Sequence, residues 1–243
     1  MNIVITGASA GIGYETALHL LKNKENTVYA VSRDSVGLTS LENEFAASKS
    51  SGKLILCCGD AGENSFLNDV IKKIETESES LQIIINNAGT LKYSSFELLT
   101  ESDWEEIYRV NVFLPIKIIR TMLPLIKKSE MISSSVFRGH IVNISSIGGI
   151  TGSVKFKGLS AYSSSKSAIT VLSECLAEEF REYDIAVNSL ALGSVDTKMF
   201  RAAFPDFTAA MGAEKMGSYI AEFAMTGMQY FNGKVLPVSL STP

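Results

Sequence analysis

Short unbroken runs of aliphatic and β-branched residues recur along the chain, separated by longer segments in which apolar positions repeat every three or four residues. The short runs are 3–6, 28–31, 54–57, 83–86, 141–145, 186–190 and 235–238. Ile3-Val4-Ile5 and Ile83-Ile84-Ile85 are continuous rather than alternating, as in a parallel strand covered on both faces. Between them, Tyr14, Ala17, Leu18 and Leu21 form one apolar helical stripe. The segment 103–127 predicts a long helix, with a kink expected at Pro115 and Pro124 near its end. The segment 160–181 predicts another.

Such alternation predicts an α/β fold, a Rossmann-type three-layer sandwich with about seven parallel strands and helices on both faces. No Pro/Gly-rich linker and no repeat interrupts it, so a single domain over 1–243 is expected. In open sheets of this kind ligands sit beyond the carboxyl ends of the strands. The residues that follow each strand are therefore the candidates for chemistry.

After the first run comes Thr6-Gly7-Ala8-Ser9-Ala10-Gly11-Ile12-Gly13, leading into the Tyr14 helix. Glycines there let a pyrophosphate approach the backbone, and the helix N-terminus offers free N–H groups. After the second run, Ser32-Arg33 stands about 20 residues beyond the glycines, where an arginine would accept a 2′-phosphate. NADP(H) is favoured over NAD(H), although Asp34 would oppose this if it pointed inward. Asp60, after the third run, is a candidate adenine contact or an ordinary turn residue. After the fourth run, Asn87, Ala88 and Gly89 suit a backbone packed close to a cofactor.

The fifth run ends in Ser145-Ser146, and Tyr162 and Lys166 then share one face of the long helix. An ammonium beside a phenol lowers the phenol's pKa, and a two-unit shift would represent about 2.7 kcal/mol. Such a tyrosine exchanges protons with a substrate oxygen, and a nearby serine hydroxyl holds that oxygen. Strand side chains alternate, so only one of the two serines faces the site. Tyr230 and Lys234 repeat the spacing, but Asn232-Gly233 marks a turn there.

Composition narrows the partners. The net charge of −4 argues against nucleic acid as the main partner. No apolar run approaches the ~20 residues of a membrane span, and the N-terminus has no signal-peptide pattern. Cys57, Cys58 and Cys175 give no disulfide framework, which fits a reducing, cytoplasmic setting. His19 and His140 have no metal-ligand spacing and are expected at the surface or half-buried; no metal site is expected.

Together these elements resemble the short-chain dehydrogenase/reductase family, over almost the whole chain. The residues carrying the resemblance are the glycine turn 6–13, Asn86-Asn87-Ala88-Gly89, Asn111 in Val110-Asn111-Val112, the serine strand 141–146, and Tyr162 to Lys166. The resemblance implies a carbonyl/alcohol oxidoreductase in which Ser146 positions the carbonyl and Tyr162 is the acid/base. Lys166 would hold the ribose hydroxyls and lower the tyrosine pKa, and Asn111 would anchor a relay water. Gly7, Ser9, Gly11, Ile12, Gly13, Ser32, Arg33, Asp60, Asn87, Ala88, Gly89, Tyr162, Lys166, Gly193, Val195 and Thr197 would line the cofactor site. A small-molecule carbonyl or alcohol substrate and a homodimer or homotetramer follow from the same resemblance.

The chain departs from the family in four places. Leu192-Gly193 replaces Pro-Gly, and the loop from Ser146 to Tyr162 is about three residues longer than is common. Ala10 replaces a basic residue, and the C-terminal strand lacks Gly-Gly. An apolar substrate loop is expected around 194–217, where Met199, Phe200, Phe204, Phe207 and Met211 form either a lid or a helix packed on the core. Two other readings remain: a 3-oxoacyl carrier-protein reductase, with Lys127-Lys128 or Lys155 and Lys157 as docking charges, and a non-catalytic NADP(H)-binding sensor or scaffold.

Overall fold

The computed structural model describes residues 1–133 and 135–240. Among them, seven strands form one wholly parallel sheet. The strands are β1 (Asn2–Thr6), β2 (Thr27–Ser32), β3 (Lys53–Cys58), β4 (Ile83–Asn86), β5 (Gly139–Ser146), β6 (Ile185–Leu192) and, last in the chain, β9 (Val235–Val238). A separate two-stranded ribbon pairs β7 (Val195–Asp196) with β8 (Met211–Gly212). The helices are α1 (Gly11–Leu20), α2 (Ser35–Ala47), α3 (Asn64–Glu77), α4 (Glu101–Tyr108), α5 (Leu114–Lys127), α6 (Ser160–Glu179), α7 (Lys198–Ala203) and α8 (Ala213–Thr226).

The main sheet runs β3-β2-β1-β4-β5-β6-β9. Strand order reverses between β1 and β4, which opens a crevice at their carboxyl ends. Burial explains the unbroken apolar runs. Ile3, Ile5, Ile83, Ile85, Val142, Ile144, Leu190 and Leu192 pack on one face with α1, α2 and α8. Val4, Ile84, Ile141 and Val187 pack on the other, with α3, α5 and α6. Each such aliphatic side chain contributes roughly 1.5–3 kcal/mol by leaving water. A polar residue in either register would face a core.

The expected helix over 103–127 is two helices joined by a π-helical turn at Arg109–Phe113, with Pro115 in the first turn of α5. Pro115 lacks an N–H to donate to the preceding turn, and the wider π turn absorbs the mismatch. Buried Asn111 sits in its middle. Tyr230 lies beyond the helices, 76% exposed, and Gly233 turns the chain at φ 67°. His140 departs from expectation: it is fully buried in β5.

Candidate active site

The turns after β1 and β4 are stitched together. Thr6 Oγ1 accepts from the backbone N–H of Asn87 (3.1 Å) and Ala88 (3.0 Å). Asn87 Nδ2 donates to the carbonyls of Thr6 (2.9 Å) and Gly7 (3.3 Å). The Asn87 side chain thus holds the glycine turn in shape. Gly7 and Gly11 adopt φ of 69° and 57°, which a Cβ would strain. A Cβ on Gly13 would sit 2.3 Å from the Gly7 carbonyl oxygen, so α1 starts hard against the turn. Ala10 gives that helix no side-chain cap, and its first turn carries no acidic residue. The first N–H groups of α1, beside Ser9, Gly11 and half-buried Ile12, stay available to an anion. This cradle fits a dinucleotide pyrophosphate.

At the end of β2, Ser32 Oγ donates to Ser9 Oγ at 2.8 Å. Arg33 is exposed and forms no ion pair with another described residue. Asp34 does not oppose it, because its carboxylate caps α2 and accepts from Gly37 N at 3.1 Å. Asp60 forms a turn of its own, accepting from Gly62 N at 2.8 Å with one carboxylate oxygen.

The choice between the two serines is decided by α6. Ser145, 3% exposed, donates to the Lys166 carbonyl at 2.8 Å and faces the helix backbone. Ser146 faces the opposite way, accepts from Gly148 N at 3.3 Å and hydrogen-bonds the Tyr162 hydroxyl. Lys166 is buried and donates to the Ile144 carbonyl at 2.8 Å, with its ammonium 5.8 Å from the Tyr162 ring centroid. Burial outweighs the charge effect expected from the four-residue spacing. It pushes the Tyr162 phenol up to about 12, against the Ser146 hydrogen bond, and pulls Lys166 down to about 8.

Asn111 is held by three side-chain hydrogen bonds. Its Nδ2 donates to the Thr90 carbonyl and to Ser165 Oγ, both at 3.0 Å, and its Oδ1 accepts from Thr90 N at 2.8 Å. The side chain is therefore a clamp between the turn after β4 and α6. Gly89 lies in the corner it forms: a Cβ there would come 3.4 Å from Asn111 Oδ1 and 3.5 Å from Lys166 Nζ.

After β6, Gly193 donates to the Val238 carbonyl at 2.9 Å, so β9 joins the sheet without a Gly-Gly. Val195 is buried, and Thr197 caps α7 while its methyl lies 3.3 Å from where a Cβ on Gly11 would stand. The expected 194–217 loop is β7, α7, β8 and the first turns of α8. Met211 packs against the core, and Gly217 lies flush on Glu15 and Thr16 of α1. The long 147–159 loop bonds to itself: Ser153 Oγ donates to the Ile147 carbonyl, and Lys155 Nζ to Ile150 and Ser153. A cavity of about 620 Å³ between this loop, Phe96 and the outer face of α6 includes Gly148 and Ser163, but none of Ser146, Tyr162 and Lys166.

Sequence reasoning missed Thr6 and Ser165 as supports. Thr6, at the very end of β1, was the available signal for the first. Ser165 stands next to Lys166 but carries no signal that it meets Asn111.

The arrangement places a hydroxyl pair and an ammonium at the carboxyl end of β5, across from an anion cradle at the end of β1. The chain matches the family model for short chain dehydrogenases over residues 1–207. It is 33% identical over 204 residues to a benzil reductase forming (S)-benzoin from Saccharomyces cerevisiae, covering 81% of this chain and 72% of that protein. It is 31% identical to a 3-ketodihydrosphingosine reductase of Bacteroides thetaiotaomicron, over 80% of this chain and 64% of that one. The Pseudomonas aeruginosa RhlG/NADP active-site complex superposes with a TM-score of 0.83 at 26% identity, over 98% of this chain and 94% of that one. Site geometry and these matches agree: the chain belongs to the short-chain dehydrogenase/reductase family, NAD(P)-binding oxidoreductases that act on carbonyl and alcohol groups.

Proposed function

We propose that this protein is an NADP(H)-dependent reductase of a small-molecule carbonyl. The observation that carries the reading is the grouping of half-buried Ser146 and Tyr162 with buried Lys166 beside the glycine cradle. A nicotinamide cofactor held in this cradle would supply the hydride for the carbonyl carbon. Ser146 and Tyr162 hold the carbonyl oxygen by their hydroxyls as negative charge develops on it. Tyr162 then gives that oxygen its proton, completing the alcohol, and recovers one from solvent. A phenol held near 12 stays protonated at neutral pH and so has the proton to give. Lys166, near 8, is mostly charged at pH 7 and stabilises the phenolate left behind.

The preference for NADP(H) is supported by the unpaired Arg33 and by the diversion of Asp34 to the α2 cap. Pairing of the α5–α6 face between two copies is supported by Phe113 and Val171, 60% and 54% exposed; sedimentation mass tests it. The function is tested by NADPH oxidation over a panel of diketones, quinones, steroids, sugars and 3-oxoacyl thioesters, with Tyr162→Phe in parallel. Turnover that falls at least about 100-fold in the variant supports the reading. Tight NADPH binding with no turnover on any carbonyl overturns it in favour of a sensor.

A further inference from the structure

Five aromatic rings meet at the carboxyl end of the sheet, brought there by three segments distant in sequence. Tyr93 follows β4, Phe156 lies between Ser146 and Tyr162, and Phe200, Phe204 and Phe207 lie on or just after α7. Phe204 is the hub. Its ring centroid is 5.4 Å from Tyr93, 6.4 Å from Phe156, 5.4 Å from Phe200 and 6.1 Å from Phe207. The contacts with Tyr93, Phe156 and Phe207 are edge-to-face, at 69°, 63° and 85°.

This cluster is not core. Tyr93, Phe156 and Phe207 are 53%, 57% and 69% exposed, so much of their aromatic surface faces solvent. Exposed apolar surface gathered in one place, rather than scattered singly, marks a binding surface. Each segment also departs from the reacting groups. Tyr93 comes shortly after Gly89, which borders Lys166; Phe156 is on the loop that leaves Ser146; Phe200 follows Thr197, which lies against Gly11. All three segments therefore start from residues that border the Ser146, Tyr162 and Lys166 group or the glycine cradle.

The cluster is held in place before any ligand arrives. Ser94 N donates to the Gly158 carbonyl at 3.0 Å, and Gly158, at φ 82°, lies so close to Tyr93 that a Cβ would come 2.9 Å from its ring. Two of the neighbouring cations are engaged elsewhere. Lys155 bonds its own loop, and Arg201 pairs with Asp196 at 2.7 Å. What the five rings themselves offer a substrate is ring faces and ring edges.

We infer that the substrate is an aryl carbonyl compound, an aryl ketone or aryl 1,2-diketone, whose ring packs among Tyr93, Phe156 and Phe204. The inference rests on the carbonyl-reductase reading above. An aromatic ring gains from edge-to-face contact beyond what its area gives, whereas a saturated ring of the same size gains area alone.

The test compares 1-phenyl-1,2-propanedione with 1-cyclohexyl-1,2-propanedione, using the whole protein with NADPH. We expect kcat/KM to favour the phenyl compound by about tenfold, the ratio that two such ring contacts supply. In Phe156→Leu and Phe204→Leu, which keep an apolar side chain and remove the ring, the ratio falls toward one. Phe156 is exposed enough that its leucine variant folds, and a thermal melt of each variant checks this. An equal or reversed preference in the wild type overturns the inference, as does a ratio that neither variant changes. Turnover of other carbonyls but of neither diketone overturns the aryl assignment and leaves the reductase reading standing. Absence of NADPH oxidation on every carbonyl removes both.

Discussion

His140 sits at the centre of the sheet with no exposed surface, and its hydrogen bonds admit only the neutral ring. Its Nδ1 lies 3.0 Å from the Ala224 carbonyl and must carry the proton, since a carbonyl only accepts. Its Nε2 lies 3.0 Å from Asn188 Nδ2 and accepts from it. The Asn188 amide cannot turn over to accommodate a second ring proton. Its Oδ1 accepts from Lys234 N at 3.0 Å, and its Nδ2 also donates to the Phe231 carbonyl at 2.9 Å. Burial therefore pulls His140 down to about 4 from its usual 6.5. Between those two values the unfolded chain binds a proton that the folded chain refuses, so stability falls as the pH drops from about 6.5 to 4. Linkage puts the loss at about 2 kcal/mol by pH 5, and about 3 kcal/mol below pH 4. Urea unfolding at pH 7.5 and pH 5, on the wild type and on His140→Gln, separates the contribution of this imidazole from that of the carboxylates. The variant is less stable at pH 7.5, and its deficit should shrink by about 2 kcal/mol at pH 5. A deficit that stays constant between the two pH values would refute the argument.

Three further outcomes follow from the site. Ser146→Ala should lower turnover by about 100-fold or more, whereas Ser145→Ala should keep turnover and lose about 1 kcal/mol of stability with its bond to Lys166; steady-state kinetics and melting separate the two. Arg33→Ala should raise the Kd for NADPH by roughly tenfold or more, the worth of a charged hydrogen bond, while leaving NADH nearly unchanged in a fluorescence titration. Oxidation of the product alcohol needs the phenolate, so with Tyr162 near 12 its rate should climb steadily from pH 7 to 10, whereas carbonyl reduction should not rise. A flat oxidation profile would show that Tyr162 is not the base.

Much of this protein is legible along the chain because its signals are local. A strand buried on both faces must be apolar at consecutive positions, so Ile3-Val4-Ile5 and Ile83-Ile84-Ile85 announce central strands. A helix brings residues four apart onto one face, so Tyr162 and Lys166 announce a pair. Glycines between a strand and a helix announce the cradle, because Gly7 and Gly11 need a backbone that other residues avoid.

The rest depends on which segment meets which, and local patterns carry no record of that. Alternation says that one of Ser145 and Ser146 faces the site; only the packing of α6 on β5, which gives Ser145 the Lys166 carbonyl, says which one. Asp34 opposes NADP(H) only if it points inward, and the start of α2, which claims its carboxylate as a cap, settles where it points. A lysine four residues from a tyrosine suggests a lowered phenol pKa, but burial depth decides the outcome and raises it. His140 looks like a surface histidine until Ala224 and Asn188 are seen to enclose it. The meeting of Tyr93, Phe156 and Phe204 is the furthest from the sequence, since three loops of unrelated pattern are joined only where the sheet brings their ends together. Periodicity, chain sense and turn chemistry are properties of neighbouring residues, so the sequence alone determined the fold class and the helix that carries Tyr162 and Lys166 on one face. Side-chain partners, burial and the charge each group can hold arise from contacts between distant residues, and only the tertiary structure decided those.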